Sequence, residues 1–115
     1  MTIKSADDVD NCLLQAIVEA TCYCLGEKNA DNIFKFMEKQ GICKKDIPKN
    51  LGFFERELEN LIGSENKKDS GVAYTLKKAY IAVFCVKLKV KYIVNNSAFS
   101  DQIREIKEAY VKNSV

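Results

Sequence analysis

Cys22 and Cys24, separated only by Tyr23, are the closest pair of soft nucleophilic side chains in the sequence. On a helix, residues two apart diverge by about 200°. The pair therefore cannot share a metal ion or close a redox couple without unwinding. Cys12, Cys43 and Cys85 stand apart, no C-x-x-C occurs, and a zinc site would need four ligands from scattered elements. No electropositive helix start lies nearby to acidify a thiol. Four of the cysteines fall inside apolar helical patterns, so the cysteines are expected to be buried small hydrophobes in a reducing compartment. The chain has no histidine. That removes the commonest general base, the commonest metal ligand and the usual partner of a serine or cysteine nucleophile.

The carboxylates offer little more. Asp7, Asp8 and Asp10 fall where acids complement the positive end of a helix. Glu55, Glu57 and Glu59 belong to a polar helix face. Gly26, Gly41 and Gly63 are isolated stops, and no glycine-rich phosphate loop is present. No catalytic residue, cofactor or metal ligand is assigned, and a non-enzymatic role is expected.

Charge is less evenly spread than the net +2 implies. Residues 1–66 carry a net −4, residues 67–94 a net +6, and residues 95–115 balance. The basic set is Lys67, Lys68, Lys77, Lys78, Lys87, Lys89 and Lys91. Three roles are open to it. The lysines can solvate an otherwise apolar helix and pair loosely with acidic neighbours. They can steer assembly with an acidic face of a partner or a second copy. They can contact phosphates of a nucleic acid, although no arginine, the usual base reader, lies among them.

Elements able to position these groups follow from apolar periodicity. A first helix is expected over about Ser5 to Leu25, capped by Ser5 and Asp8 and striped by Val9, Leu13, Ala16, Ala20 and Cys24. Gly26 ends it in the left-handed conformation. A second runs from an Asp31 cap to Gln40 with Ile33, Phe36 and Met37 inward, and Gly41 stops it, with Ile42 making the apolar contact beyond. Residues 42–50 form a linker held extended at Asp46-Ile47-Pro48. Asn50 caps a third helix from Leu51 to Ile62, with Leu51, Phe54, Leu58 and Leu61 inward and Glu55, Arg56, Glu57 and Glu59 outward. Ser64 to Ser70 is a polar insert. A last helix begins at Ser97 or Ser100 and runs to Lys112 on Phe99, Ile103, Ile106 and Tyr110.

Gly71 to Val94 decides the architecture. Leu76, Ala79, Val83, Val86, Val90 and Ile93 keep a 3-4-3-4-3 spacing, which predicts a heptad seam and a candidate interface. The eight residues from Ala79 to Val86 are apolar throughout, as in a helix surrounded by others. Residues 86–92 also alternate as a half-exposed strand would. Helix is preferred, because no second strand is evident to pair with it.

The run Leu25-Gly26-Glu27, Ile33, Glu38-Lys39, Gly41-Ile42, Lys45-Asp46-Ile47-Pro48, Phe54, Leu58 and Leu61-Ile62-Gly63 resembles the Nitrosopumilus-type output domain. These are small archaeal helical modules at the effector end of signalling chains. The resemblance spans about residues 9 to 90. The polar insert and the helix after Val94 depart from it. It implies a signalling output or interaction role and carries over no catalytic residue.

At 115 residues and 47% apolar composition, the chain suits one domain, 1–115, with one core. The expected fold is an all-α bundle of about five helices with a long central apolar helix over residues 71–94. No apolar run approaches the about 20 residues of a membrane span, and no signal peptide opens the chain. The protein is expected to be soluble and cytoplasmic. Its expected function is a non-enzymatic protein-interaction module, a signalling output or regulatory domain acting by homodimerisation or partner docking. Alternatives are a nucleic-acid-binding regulator using residues 67–91, and a small-ligand-binding or enzymatic helical domain with an unidentified pocket.

Overall fold

The computed structural model describes residues 6–62, 72–95 and 97–113. Expectations placed on Ser5, Gly63, Gly71 and the 64–70 insert lie outside the described residues, as do Lys67 and Lys68. Five α-helices appear: α1 (Ala6–Leu25), α2 (Glu27–Lys39), α3 (Leu51–Ile62), α4 (Val72–Leu88) and α5 (Phe99–Asn113). A 3-10 helix, Lys44–Lys49, joins α2 to α3. The described residues are all-α, with no strand. Their radius of gyration, 13.8 Å, suits a compact globule of this length.

In α1, Val9, Leu13, Ala16 and Ala20 are buried as the spacing predicts, joined by Ile17 and Thr21. Cys24, the expected end of the stripe, is exposed, because the inward face drifts round to Thr21 in the last turns. Gly26 ends α1 with φ 87° and ψ 157°, a conformation essentially restricted to glycine. Its N–H donates to the Cys22 carbonyl at 2.8 Å, and its own carbonyl accepts from Ala30 at 3.0 Å. One residue thus closes α1 and opens α2. For that reason α2 starts at Glu27, four residues ahead of the expected Asp31 cap, and Asp31 is an exposed residue inside it.

Gly41, at φ 99°, stops α2 as expected. Its N–H reaches the Glu38 carbonyl, and that of Ile42 reaches Met37, both at 3.0 Å. This paired closure buries Ile42. The extended linker is not observed. Residues 44–49 instead coil as a 3-10 helix with Pro48 inside it. Ile47 and Pro48 are buried, and sealing an isoleucine from water contributes roughly 1.5–3 kcal/mol, which outweighs the weak extended bias before proline. Asn50 does not cap α3 with its side chain. Its Nδ2 donates back to the Asp46 carbonyl at 3.0 Å, while its carbonyl accepts the first α3 bond from Phe54.

The expected long central helix is shorter and differently oriented. α4 has 17 residues and buries Ala73, Leu76, Tyr80, Ile81, Phe84 and Leu88. It is not apolar against neighbours on all sides: Ala82 and Val86 are exposed. It ends where Lys89 adopts φ 57°. The Lys89 N–H reaches the Val86 carbonyl at 3.2 Å and the Val90 N–H reaches Cys85 at 3.0 Å. This is the closure seen after Gly41, here with lysine at the left-handed position. Continued helix would carry Val90 onto the outward face, seven residues past Val83. Turning at Lys89 buries it instead. Residues 86–92 are thus neither one helix nor a strand.

The core lies between α1, α4 and α5, with α2 and α3 closing its sides. Tyr80 is its centre, its ring 6.1 Å from Phe54 and 6.0 Å from Phe99. Thr21 Oγ1 donates to the Ile17 carbonyl at 2.7 Å and lies 2.8 Å from Tyr80 Oη. A hydroxyl carries one proton, so Tyr80 is the donor to Thr21. Thr21 meets Tyr80 while Glu19 meets Lys87, so α1 and α4 run antiparallel. In α5, Phe99, Ile103 and Ile106 are buried as expected, with Tyr110 half-buried. No helix among the described residues is long and apolar enough to cross a membrane.

Candidate functional site

A cleft of about 290 Å³ opens where α3, α4 and α5 meet Val94, Asn95, Ser97 and Ala98 of the connection between α4 and α5. Glu55 comes from α3; Tyr74, Lys77, Lys78 and Ile81 from α4; Phe99 and Gln102 from α5. Val94, Asn95, Ser97 and Ala98 form the remaining wall. Lys77 projects to α3 and is gripped by Glu55 at 2.8 Å and Glu59 at 2.7 Å. Burial alone would lower the Lys77 pKa, but the two carboxylates raise it above the ordinary lysine value. It is held as an ammonium ion, which has no lone pair for nucleophilic or base chemistry.

Gln102 fixes the connecting wall. It is buried, its Oε1 accepting from the Asn95 N–H at 3.1 Å and its Nε2 donating to the Ser97 carbonyl at 2.9 Å. The Asn95 carboxamide oxygen accepts from the Ser97 N–H at 2.8 Å, closing the turn. Tyr92 donates to Glu105 at 2.5 Å and accepts from Asn95 at 3.1 Å. Among the described residues, every buried side-chain nitrogen or oxygen has a partner. The wall is set by its own bonds.

Around the Tyr74–Lys78 rim lies the outward face of α4. Val72, Thr75, Ala79, Ala82, Val83 and Val86 recur on it at helical spacing. Val86 is 75% exposed and Val72 44%, while Ala79 and Val83 are half-buried. Lys78 is the single charged residue in this arc, its ammonium 4.6 Å from the centre of the Tyr74 ring. Solvent-facing arcs of surface helices are normally rich in charge. Tyr23, 93% exposed, stands on the neighbouring α1.

The candidate seam is therefore divided among different surroundings. Leu76 is buried in the core, and Val90 is buried beyond the helix end. Ala79, Val83 and Val86 share the outward face, while Ile93, 86% exposed, sits on the connecting segment. The lysines are divided too. Lys77 serves α3, and Lys87 crosses to Glu19 of α1 at 2.7 Å. Lys89 and Lys91 are exposed.

Other candidate groups take structural posts. Asp10 binds Lys107 of α5 at 2.8 Å, a tertiary ion pair beyond any effect on the helix end. Glu55 and Glu59, expected on a solvated face, hold Lys77. The cysteines are less buried than expected: Cys12, Cys22 and Cys85 are half-buried, Cys24 and Cys43 exposed, and all five are free thiols. Burial pushes the Cys12 thiol up, with Lys87 opposing, and burial pushes Cys85 up. Among the described residues, no three metal-ligating side chains cluster. Sequence reasoning missed Tyr74, Asn95 and Gln102. Only the polar Gln102 on an otherwise apolar inward face of α5 signals that an internal partner is needed.

Comparison of the chain with family models, with curated proteins and with solved structures gives no match to any of them.

Proposed function

We propose that this chain is a protein-interaction module that receives its partner on the outward face of α4. The carrying observation is the outward arc from Val72 to Val86, where Val72, Ala82 and Val86 are exposed, Ala79 and Val83 are half-buried, and Thr75 and Lys78 are the only polar residues. An exposed apolar surface of this kind costs free energy in water until something covers it. The adjoining cleft adds relief at the Tyr74–Lys78 rim, and its Lys77, Glu55, Asn95 and Gln102 side chains, each already bonded within the fold, suit recognition better than reaction. A regulatory task for such a module rests on the resemblance of about residues 9 to 90 to the Nitrosopumilus-type output domain.

The test combines solution mass by light scattering with retention of cellular proteins, for the native chain and for Ala82→Glu with Val86→Glu. Both substituted positions are exposed, so the fold should persist, which circular dichroism checks. Association of the native chain that is lost in the variant is expected. A native chain that stays monomeric and retains nothing, or association untouched by the variant, overturns the proposal.

A further inference from the structure

We infer that the occupant of the α4 face is an amphipathic helix with acidic residues along its flanks, an inference that rests on the interaction function proposed above. Charge complementarity is the first ground. Lys78 lies on the flank of the face, between Thr75 and Ala82 in helical spacing, and Lys89 stands at its C-terminal end. Among the described residues, no carboxylate forms an ion pair with Lys78, Lys89 or Lys91. Lys77 and Lys87, by contrast, are already neutralised by Glu55, Glu59 and Glu19. Among the described residues of α4 and the segment 89–95, the unmatched charge is positive.

Area is the second ground. The 17 residues of α4 rise about 1.5 Å each, giving a face roughly 25 Å long and about 10 Å wide, the diameter of a helix. That is about 250 Å², against about 800 Å² per partner for a stable globular pair. The patch matches one helix laid along it, the mode in which an amphipathic segment lends its apolar side to a groove. A second copy fits less well. About a two-fold axis with the two α4 helices antiparallel, both Lys78 side chains fall on one rim, and each Lys89 approaches the positive end of the other α4. An acidic helix meets neither conflict.

The experiment uses two synthetic helical peptides with leucines on one face, one flanked by glutamates and a companion flanked by lysines. Binding to the whole chain is followed by amide chemical shifts at low and high salt. The glutamate peptide should bind, shifting Ala79, Ala82, Val86 and the Tyr74–Lys78 rim, and should weaken as salt rises. Lys78→Gln with Lys89→Asn should weaken it about threefold to tenfold, as expected for two exposed ion pairs. Equal binding of the lysine peptide, shifts elsewhere, or no binding overturns the inference. So does duplex DNA displacing the peptide at low salt. Self-association of the chain abolished by Val86→Glu would also overturn it, by making a second copy the occupant, while leaving the interaction function standing. Failure of both the peptides and the association test would remove both.

Discussion

Replacing Thr21 by valine should cost more than replacing Tyr80 by phenylalanine, although both remove the same 2.8 Å contact. The difference lies in what each substitution strands. Valine keeps the shape of threonine but leaves the Tyr80 hydroxyl, fully buried, with a proton and no acceptor. An unsatisfied buried donor costs about 1–3 kcal/mol. Phenylalanine at 80 leaves Thr21 still donating to Ile17 at 2.7 Å, so only a bond of about 0.5–1.5 kcal/mol is lost. For a chain of this length 1 kcal/mol shifts the melting temperature by about 4 °C. The valine variant should therefore melt about 4–12 °C lower and the phenylalanine variant about 2–6 °C lower. In the double variant no polar group is stranded, and its loss should fall at least about 1 kcal/mol short of the sum. Thermal and urea unfolding followed by circular dichroism measure all four corners of the cycle. A valine variant no worse than the phenylalanine variant, or losses that add within about 0.5 kcal/mol, would refute the donor assignment.

Three further outcomes follow from the same geometry. Lys77→Met should destabilise by about 1–2 kcal/mol, more at low salt, because two partly shielded ion pairs are lost and Glu55 and Glu59 are left facing each other one turn apart; unchanged urea midpoints would contradict this. Desolvation and the neighbouring Glu105 carboxylate push Tyr92 up to about 12, and burial pushes Tyr80 up as well. The folded chain then keeps protons that the unfolded chain releases from about pH 10, so stability is full below that pH and falls as pH rises from about 10 towards 12. Tyrosinate absorbance of Tyr92→Phe should lose one late-titrating tyrosine and keep that of the buried Tyr80, and a superimposable titration would count against the assignment. Lys89→Gly should stabilise by about 0.5–1 kcal/mol, the left-handed strain relieved less the glycine entropy, while Lys89→Val should destabilise; the reverse order in denaturant unfolding would discount the turn geometry.

The ends of the chain were the most legible. Val9, Leu13, Ala16 and Ala20, like Phe99, Ile103 and Ile106, sit against polar neighbours, so one inward face is defined. α4 defeats that logic. Its outward residues are as apolar as its inward ones, and several stripes fit the same letters. The stripe through Leu76, Ala79 and Val83 looked regular, whereas the bulk of Tyr80, Ile81 and Phe84 decided which side faced the core. The stop at Lys89 carries no glycine or proline, because burial of Val90 supplies the drive. The cleft was invisible for a different reason. Glu55 with Lys77, and Tyr92 with Glu105, meet across elements, and nothing local in either partner announces the other.

The reversal at Lys89 also bears on how the chain behaves before it is folded. Laid out straight, residues 86–92 would place Val86, Leu88, Val90 and Tyr92 along one side and Lys87, Lys89 and Lys91 along the other, a ribbon suited to stacking with identical ribbons into fibrils. The native turn folds that ribbon in half and hides Leu88 and Val90 inside. On the ribosome, or whenever the last turn of α4 opens, the three lysines remain as gatekeepers, their mutual repulsion holding neighbouring chains out of register.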